Sequence, residues 1–229
     1  MKGFPWVAAY AFGCWNFGKP KMKPDLIIFD FDGTLADSVG FFRELLPELS
    51  QKFRFRMPSF EEQEAMRGHP PREVMQALGI PGWKLPFIAV HARKRAKAAE
   101  TFPLFEGTLD LLDTLMAKGI PVAVVSSNSE AVVRRALGPE ISSRISAWSC
   151  GAGMFGKAKH FRDVMKRLKA DPARTLAVGD EIRDIDAARE VGIRCVAVSW
   201  GFAPREALSA AQPDHAFDCG EDLKAFLAG

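Results

Sequence analysis

Apolar runs recur along this chain, and each stops at a polar residue or a glycine. They occupy residues 26–29, 122–125, 176–178 and 195–198. Short continuous apolar runs bounded by turn residues predict strands buried on both faces. A weaker run covers 145–149. Between the later runs lie helical patterns at 108–118, 130–137, 158–169 and 182–191. Gly119, Gly138 and Gly192 sit where a helix C-terminal glycine is expected. Strands alternating with helices predict βαβ units and a parallel sheet, an α/β fold.

Residues 38–102 break the alternation. They hold no strong strand run, only helical stretches near 39–50, 60–66, 72–78 and 83–100. Pro47, Pro58, Pro70, Pro71, Pro81 and Pro86 punctuate them. The pattern predicts a helical cap over 38–102, inserted after the first strand of a core made of 23–37 and 103–229. Residues 1–22 fit neither part. Phe4, Trp6, Tyr10, Phe12, Trp15 and Phe17 crowd the segment without a clear period. Its uncharged stretch, from Lys2 to Lys19, is short of the roughly 20 apolar residues of a membrane span. It also has no convincing small-x-small cleavage site. It reads as a poorly ordered tail, or as the product of an upstream start codon with Met22 the natural first residue.

Bulk numbers narrow the class. The chain has 229 residues, 48% hydrophobic and 26% charged, as expected of a globular protein with a substantial core. A net charge of +3 gives no ground for a nucleic-acid partner, and the basic run 91–97 reads as a solvated helix face. The four cysteines (Cys14, Cys150, Cys195, Cys219) show no CxxC spacing and read as thiols of a reducing cytoplasm. The four histidines form no pair at metal-ligand spacing, which argues against zinc. Trp83, Trp148 and Trp200 are expected in the core.

The chemistry gathers at strand ends. Residues 26–34 read Leu-Ile-Ile-Phe-Asp-Phe-Asp-Gly-Thr, placing Asp30 and Asp32 where a buried strand opens into a loop. Two carboxylates there cost free energy unless a cation or a proton is shared between them, and strand carboxyl ends are where ligands bind in open α/β sheets. Ser126 follows the second run. Lys157 follows Gly156 at the head of a helix. Asp180 follows the run at 176–178, with Asp184 one helical turn later. Taken singly, each has an ordinary explanation. Asp32-Gly33 could form a turn, Ser126 a cap, and Asp184 and Asp186 first-turn acids; Lys159 competes with Lys157.

All four signals in this order resemble the haloacid dehalogenase-like hydrolase superfamily, in its phosphoglycolate-phosphatase-like branch. The likeness covers residues 24–229, including Val-Ser-Trp-Gly-Phe at 198–202 and Gln-Pro-Asp at 212–214. It implies a Rossmann-like parallel-sheet core with a C1-type helical cap, and hydrolysis of a small phosphorylated metabolite such as phosphoglycolate. Asp30 would be the nucleophile that forms an aspartyl-phosphate, and Asp32 the general acid and base. Ser126, Lys157 and the Ser127 and Asn128 amides would hold the phosphoryl group, with Thr34 also on the substrate side. Mg²⁺ would take Asp30, the Asp32 carbonyl and Asp180, with Asp184 holding its waters. Arg72 and, more weakly, His69 are the cap residues expected at the substrate. Glu181 is assigned no role. Asp32 argues against dehalogenase and phosphonatase chemistry. A sugar phosphomutase would use the same aspartate pair, and a non-catalytic binding protein could keep the fold. A cytoplasmic monomer or homodimer with neither nucleic-acid nor membrane partner completes the expectation.

Overall fold

The computed structural model describes residues 24–69, 71–99, 101–151 and 156–229. The 1–22 segment and Cys14 lie outside them. Six parallel strands form one sheet: β1 (Leu26–Phe29), β2 (Val122–Ser126), β3 (Ala147–Cys150), β4 (Thr175–Gly179), β5 (Arg194–Val198) and β6 (His215–Phe217). Their spatial order is β3-β2-β1-β4-β5-β6. β1 is central, and the chain runs outward on one side before crossing to the other. That reversal opens a crevice beyond the carboxyl ends of β1, β2 and β4, the usual ligand position in such sheets.

Alternation along the strands explains why both faces are covered. Ile27, Phe29, Val122, Val124, Leu176 and Val178 point to one face, where helices α5 (Thr108–Ala117), α6 (Glu130–Arg144) and α10 (Gly220–Ala228) supply Leu112, Val133 and Leu223. Leu26, Ile28, Ala123, Val125 and Ala177 point to the other, against α7 (Lys157–Leu168), α8 (Ile182–Val191) and α9 (Arg205–Ala210). The four residues of β1 are fully buried. Each large apolar side chain of this kind contributes about 1.5–3 kcal/mol relative to exposure.

Four helices fill 39–98: α1 (Val39–Phe53), α2 (Phe60–Ala65), α3 (Pro71–Ala77) and α4 (Leu85–Ala98). The insertion leaves and rejoins the sheet layer at one place. Asp37 N–H donates to the Pro103 carbonyl at 2.8 Å, and Phe105 N–H to the Leu35 carbonyl at 3.0 Å. A second contact ties the insertion to the loop after β5. Arg67 donates from Nε to the Phe202 carbonyl and from Nη2 to the Gly201 carbonyl, each at 2.9 Å. Phe42 meets Phe202 ring to ring at 5.7 Å.

Several details differ from the sequence expectation. α6 does not end at Gly138. That residue leaves helical geometry (φ 76°, ψ 165°), and Pro139 opens a further helical stretch to Arg144, a first-turn position that proline tolerates. The 83–100 pattern divides into a 3₁₀ turn at Gly82–Lys84 and then α4. β6 has only three half-buried residues, too few to register as an apolar run. Trp83 is 67% exposed beside the exposed Phe87, not in the core. Trp200 is half-buried and donates its Nε1–H to the Thr34 carbonyl at 3.1 Å.

Candidate active site

Asp30 and Asp32 sit just past β1 and are each 4% exposed. The loop that carries them is tight: Gly33 N–H donates to the Ala36 carbonyl, and Ala36 N–H to the Phe31 carbonyl, each at 2.9 Å. Gly33 has φ +76°, and a Cβ there would lie 2.2 Å from Asp180 Oδ2. Only glycine lets the loop turn and the second carboxylate approach together. Gly201 meets Asp180 from the other side with the same 2.2 Å clearance for a Cβ.

Asp180, at the end of β4, is fully buried. Thr34 Oγ1 donates to its Oδ1 and Phe202 N–H to its Oδ2, both at 2.7 Å. Asp184, in the first turn of α8, accepts from Glu181 N–H at 3.1 Å. Among the described residues, Asp30, Asp180 and Asp184 each offer a carboxylate oxygen within 4.8 Å of the others. Lys157, the first residue of α7, reaches into this group. Its Nζ lies 2.7 Å from Asp30 Oδ2 and contacts Asp184 Oδ1. Lys159 is exposed. Although paired with Lys157, Asp30 Oδ2 receives no hydrogen bond of acceptable direction.

Asp32 has a different set of partners. The Asn128 side-chain amide donates to both of its oxygens, at 2.9 and 3.0 Å. Ser126 Oγ approaches Oδ2 at 3.4 Å and accepts from Asn128 N–H at 3.0 Å. The loop after β2 thus grips the carboxyl of Asp32, while Asp30 faces β4 and α7.

Charge in the site is unbalanced. Asp30, Asp32, Asp180, Asp184 and Glu181 are met by Lys157 and Arg183. Burial pushes the Asp30 carboxyl up to about 7, with Lys157 pulling the other way and Asp184 adding to the rise. Asp180 is held well above the ordinary carboxylate range by burial and by Glu181, Asp30 and Asp184. Burial also raises Asp32. Lys157 stays firmly protonated: its acidic neighbours Asp184 and Asp30 outweigh burial. Buried carboxylates of this number are stable as anions only with a further cation among them. The donor set is hard oxygen throughout, which suits Mg²⁺.

The residues expected at the substrate divide. Ser127, Asn128 and His69 line one cavity of about 500 Å³ that reaches Asp32. Arg72 is exposed and is not among the residues lining it. α3 carries Arg72 outward, and sequence spacing alone does not reveal that direction. His69 binds Glu73 at 3.0 Å. Thr34 spends its hydroxyl on Asp180. Two contributors went unread in the sequence. One is the Asn128 side chain, whose only signal was an amide two residues past a strand end. The other is Arg183, nearly buried, ion-paired with Glu181 and lining the same cavity.

A model of haloacid dehalogenase-like hydrolases matches residues 27–198. The chain is 30% identical over 199 residues to a phosphoglycolate phosphatase of Synechococcus elongatus, covering 86% of this chain and 94% of that protein. It is 31% identical over 192 residues to the tyrosine-protein kinase PtkA of Mycobacterium tuberculosis, across 80% of this chain and 65% of that protein. A haloacid dehalogenase-like family protein from Streptococcus pneumoniae superposes with a TM-score of 0.72 at 22% identity, over 89% of this chain and 98% of that one, a likeness of fold.

Proposed function

The chain belongs to the haloacid dehalogenase-like hydrolase family, and on that premise we propose that it is a Mg²⁺-dependent phosphatase working through an aspartyl-phosphate. The observation that carries this reading is the division of labour between two neighbouring aspartates. Asp30 lies in a carboxylate cluster with Lys157, whereas Asp32 is held apart by Asn128.

In this mechanism an Asp30 carboxylate oxygen attacks phosphorus and the ester P–O bond breaks. Asp32 gives its proton to the departing alkoxide, a role that its burial-raised pKa supports. Asp32 then takes a proton from water as that water attacks the phosphoryl group. Inorganic phosphate leaves and Asp30 is free again. Asp30, Asp180, the Asp32 carbonyl and Asp184 would hold Mg²⁺, which supplies charge neutralisation between nucleophile and phosphate. Lys157 balances Asp30 and the transferring group. Ser126, with the Ser127 and Asn128 amides, receives the phosphoryl oxygens, and the helical insertion 38–102 acts as the cap over the site.

The test is phosphate release from p-nitrophenyl phosphate with and without Mg²⁺, by wild type and by Asp30→Asn, with 2-phosphoglycolate as the first natural substrate. Release that needs both Mg²⁺ and Asp30 is the expected result. Equal release by Asp30→Asn would overturn the reading. Interconversion of sugar phosphates with little free phosphate would replace it by a mutase.

A further inference from the structure

The cavity that opens from Asp32 is far larger than a two-carbon acid requires, and most of its wall is hydrocarbon. Asp32, Ser127, Asn128 and Arg183 line it where it meets the sheet edge. Beyond them the insertion supplies Leu46 from α1, Met66 after α2, Val74 and Leu78 from α3, and Leu85 and Ala89 from α4. These side chains come from all four inserted helices, so the apolar wall is a product of the insertion as a whole.

A small polar substrate needs something different here. The carboxylate of glycolate, or a second phosphate, calls for a cation on the far wall with donors to spare. The arginines of that wall are already engaged. Arg43 pairs with Glu64. Arg67 is shared among Glu64 and the carbonyls of Gly201 and Phe202. Arg93 is exposed and donates to the Ala89 carbonyl at 3.3 Å. His69 binds Glu73. A two-carbon acid would leave the hydrocarbon wall facing water and gain nothing from it. An apolar leaving group would remove that wall from water, at roughly 25 cal/mol per Å² covered.

We propose that the substrate is an amphipathic phosphomonoester whose leaving alcohol carries an aliphatic body, seated in the cavity between the insertion and the sheet. Its phosphate lies at Asp30 and its hydrocarbon runs toward Leu46, Val74, Leu78 and Leu85. The occupant follows from continuity: the apolar wall and the candidate acid Asp32 border the same space. Aliphatic chemistry follows from the wall, which is mostly Leu, Met and Val with Phe42 and Phe202 as its aromatic members. This inference rests on the phosphatase reading given above.

The test uses two series that separate the two ideas. Turnover is measured on 2-phosphoglycolate and on butyl, hexyl and octyl phosphate below their micellar range. Binding is measured calorimetrically with the matching alkyl phosphonates, which cannot be hydrolysed at phosphorus. The expected result is a gain of about three- to fourfold in kcat/KM and in affinity for each added methylene, the equivalent of moving one CH₂ out of water. The gain appears mainly in KM, because hydrocarbon far from phosphorus is held equally in ground and transition states. In Ala92→Trp, where an indole enters the cavity, the increment should fall below about twofold per methylene. Phosphate release that is insensitive to chain length, or fastest with 2-phosphoglycolate, would overturn the proposal and leave the phosphatase reading intact. Phosphonate affinity that climbs with chain length while no ester is cleaved would uphold the cavity assignment and overturn the phosphatase reading.

Discussion

The two aspartates after β1 stand two positions apart and meet different chemistry. Asp30 is bound to carboxylates and an ammonium; Asp32 is bound to an amide and a hydroxyl. A pH dependence follows from the first. Burial raises Asp30 from 3.8 to about 7. Between those values the folded chain keeps a proton that the unfolded chain has released, so metal-free protein loses stability as pH rises through that window. Mg²⁺ competes with that proton, and its binding only to the folded state raises Tm. The Tm gain on adding Mg²⁺ should therefore be small near pH 4 and grow up to about pH 7. Thermal melts across this range check it, and a gain independent of pH would contradict it. Asn128→Ala tests the second environment. Loss of the amide clamp on Asp32 should lower kcat by roughly tenfold to a hundredfold. Because Asn128 is outside the carboxylate cluster, the Mg²⁺-dependent gain in Tm should be unchanged, and fluorimetry beside the kinetics distinguishes the two effects.

Strands and helices determine what sequence pattern could reveal. β1, β2, β4 and β5 were legible because strands buried on both faces are continuous apolar runs. Asp180 and Asp184 were legible as a pair because four-residue spacing returns to the same helix face. Gly156 marked Lys157 over Lys159. The Asn128 grip on Asp32 was not legible, because it depends on a loop path and not on a period. Nor was the outward direction of Arg72. The insertion hid more. Amphipathic helices announce an apolar stripe, but not whether that stripe meets another helix or a cavity. Arg67 joins insertion and sheet layer through two main-chain carbonyls. Its side chain is partly exposed, so these bonds contribute about 1–2 kcal/mol together, discounted for solvent. Arg67→Ala should raise KM by roughly five- to thirtyfold while Tm shifts only slightly. Steady-state kinetics with a thermal melt check this; an unchanged KM would mean that the contact does not set the pose of the insertion over the site.

Taken as a whole, the molecule combines a sheet that fixes reacting groups with a helical insertion that shapes the space above them. Three strand ends and the head of α7 bring Asp30, Asp32, Ser126, Lys157 and Asp180 to one edge, although Asp30 and Asp180 are 150 positions apart in the sequence. Among the described residues no helix is long and apolar enough to cross a membrane. The aspartyl-phosphate is the central claim, and it has a direct measurement. Wild type and Asp32→Asn are mixed with substrate and Mg²⁺, quenched in acid within milliseconds, digested and mapped by mass spectrometry. The account predicts one phosphoryl group on Asp30, more abundant in Asp32→Asn because the water that releases it lacks its base. A phosphoryl group on another residue, or continued turnover by Asp30→Asn, would contradict it.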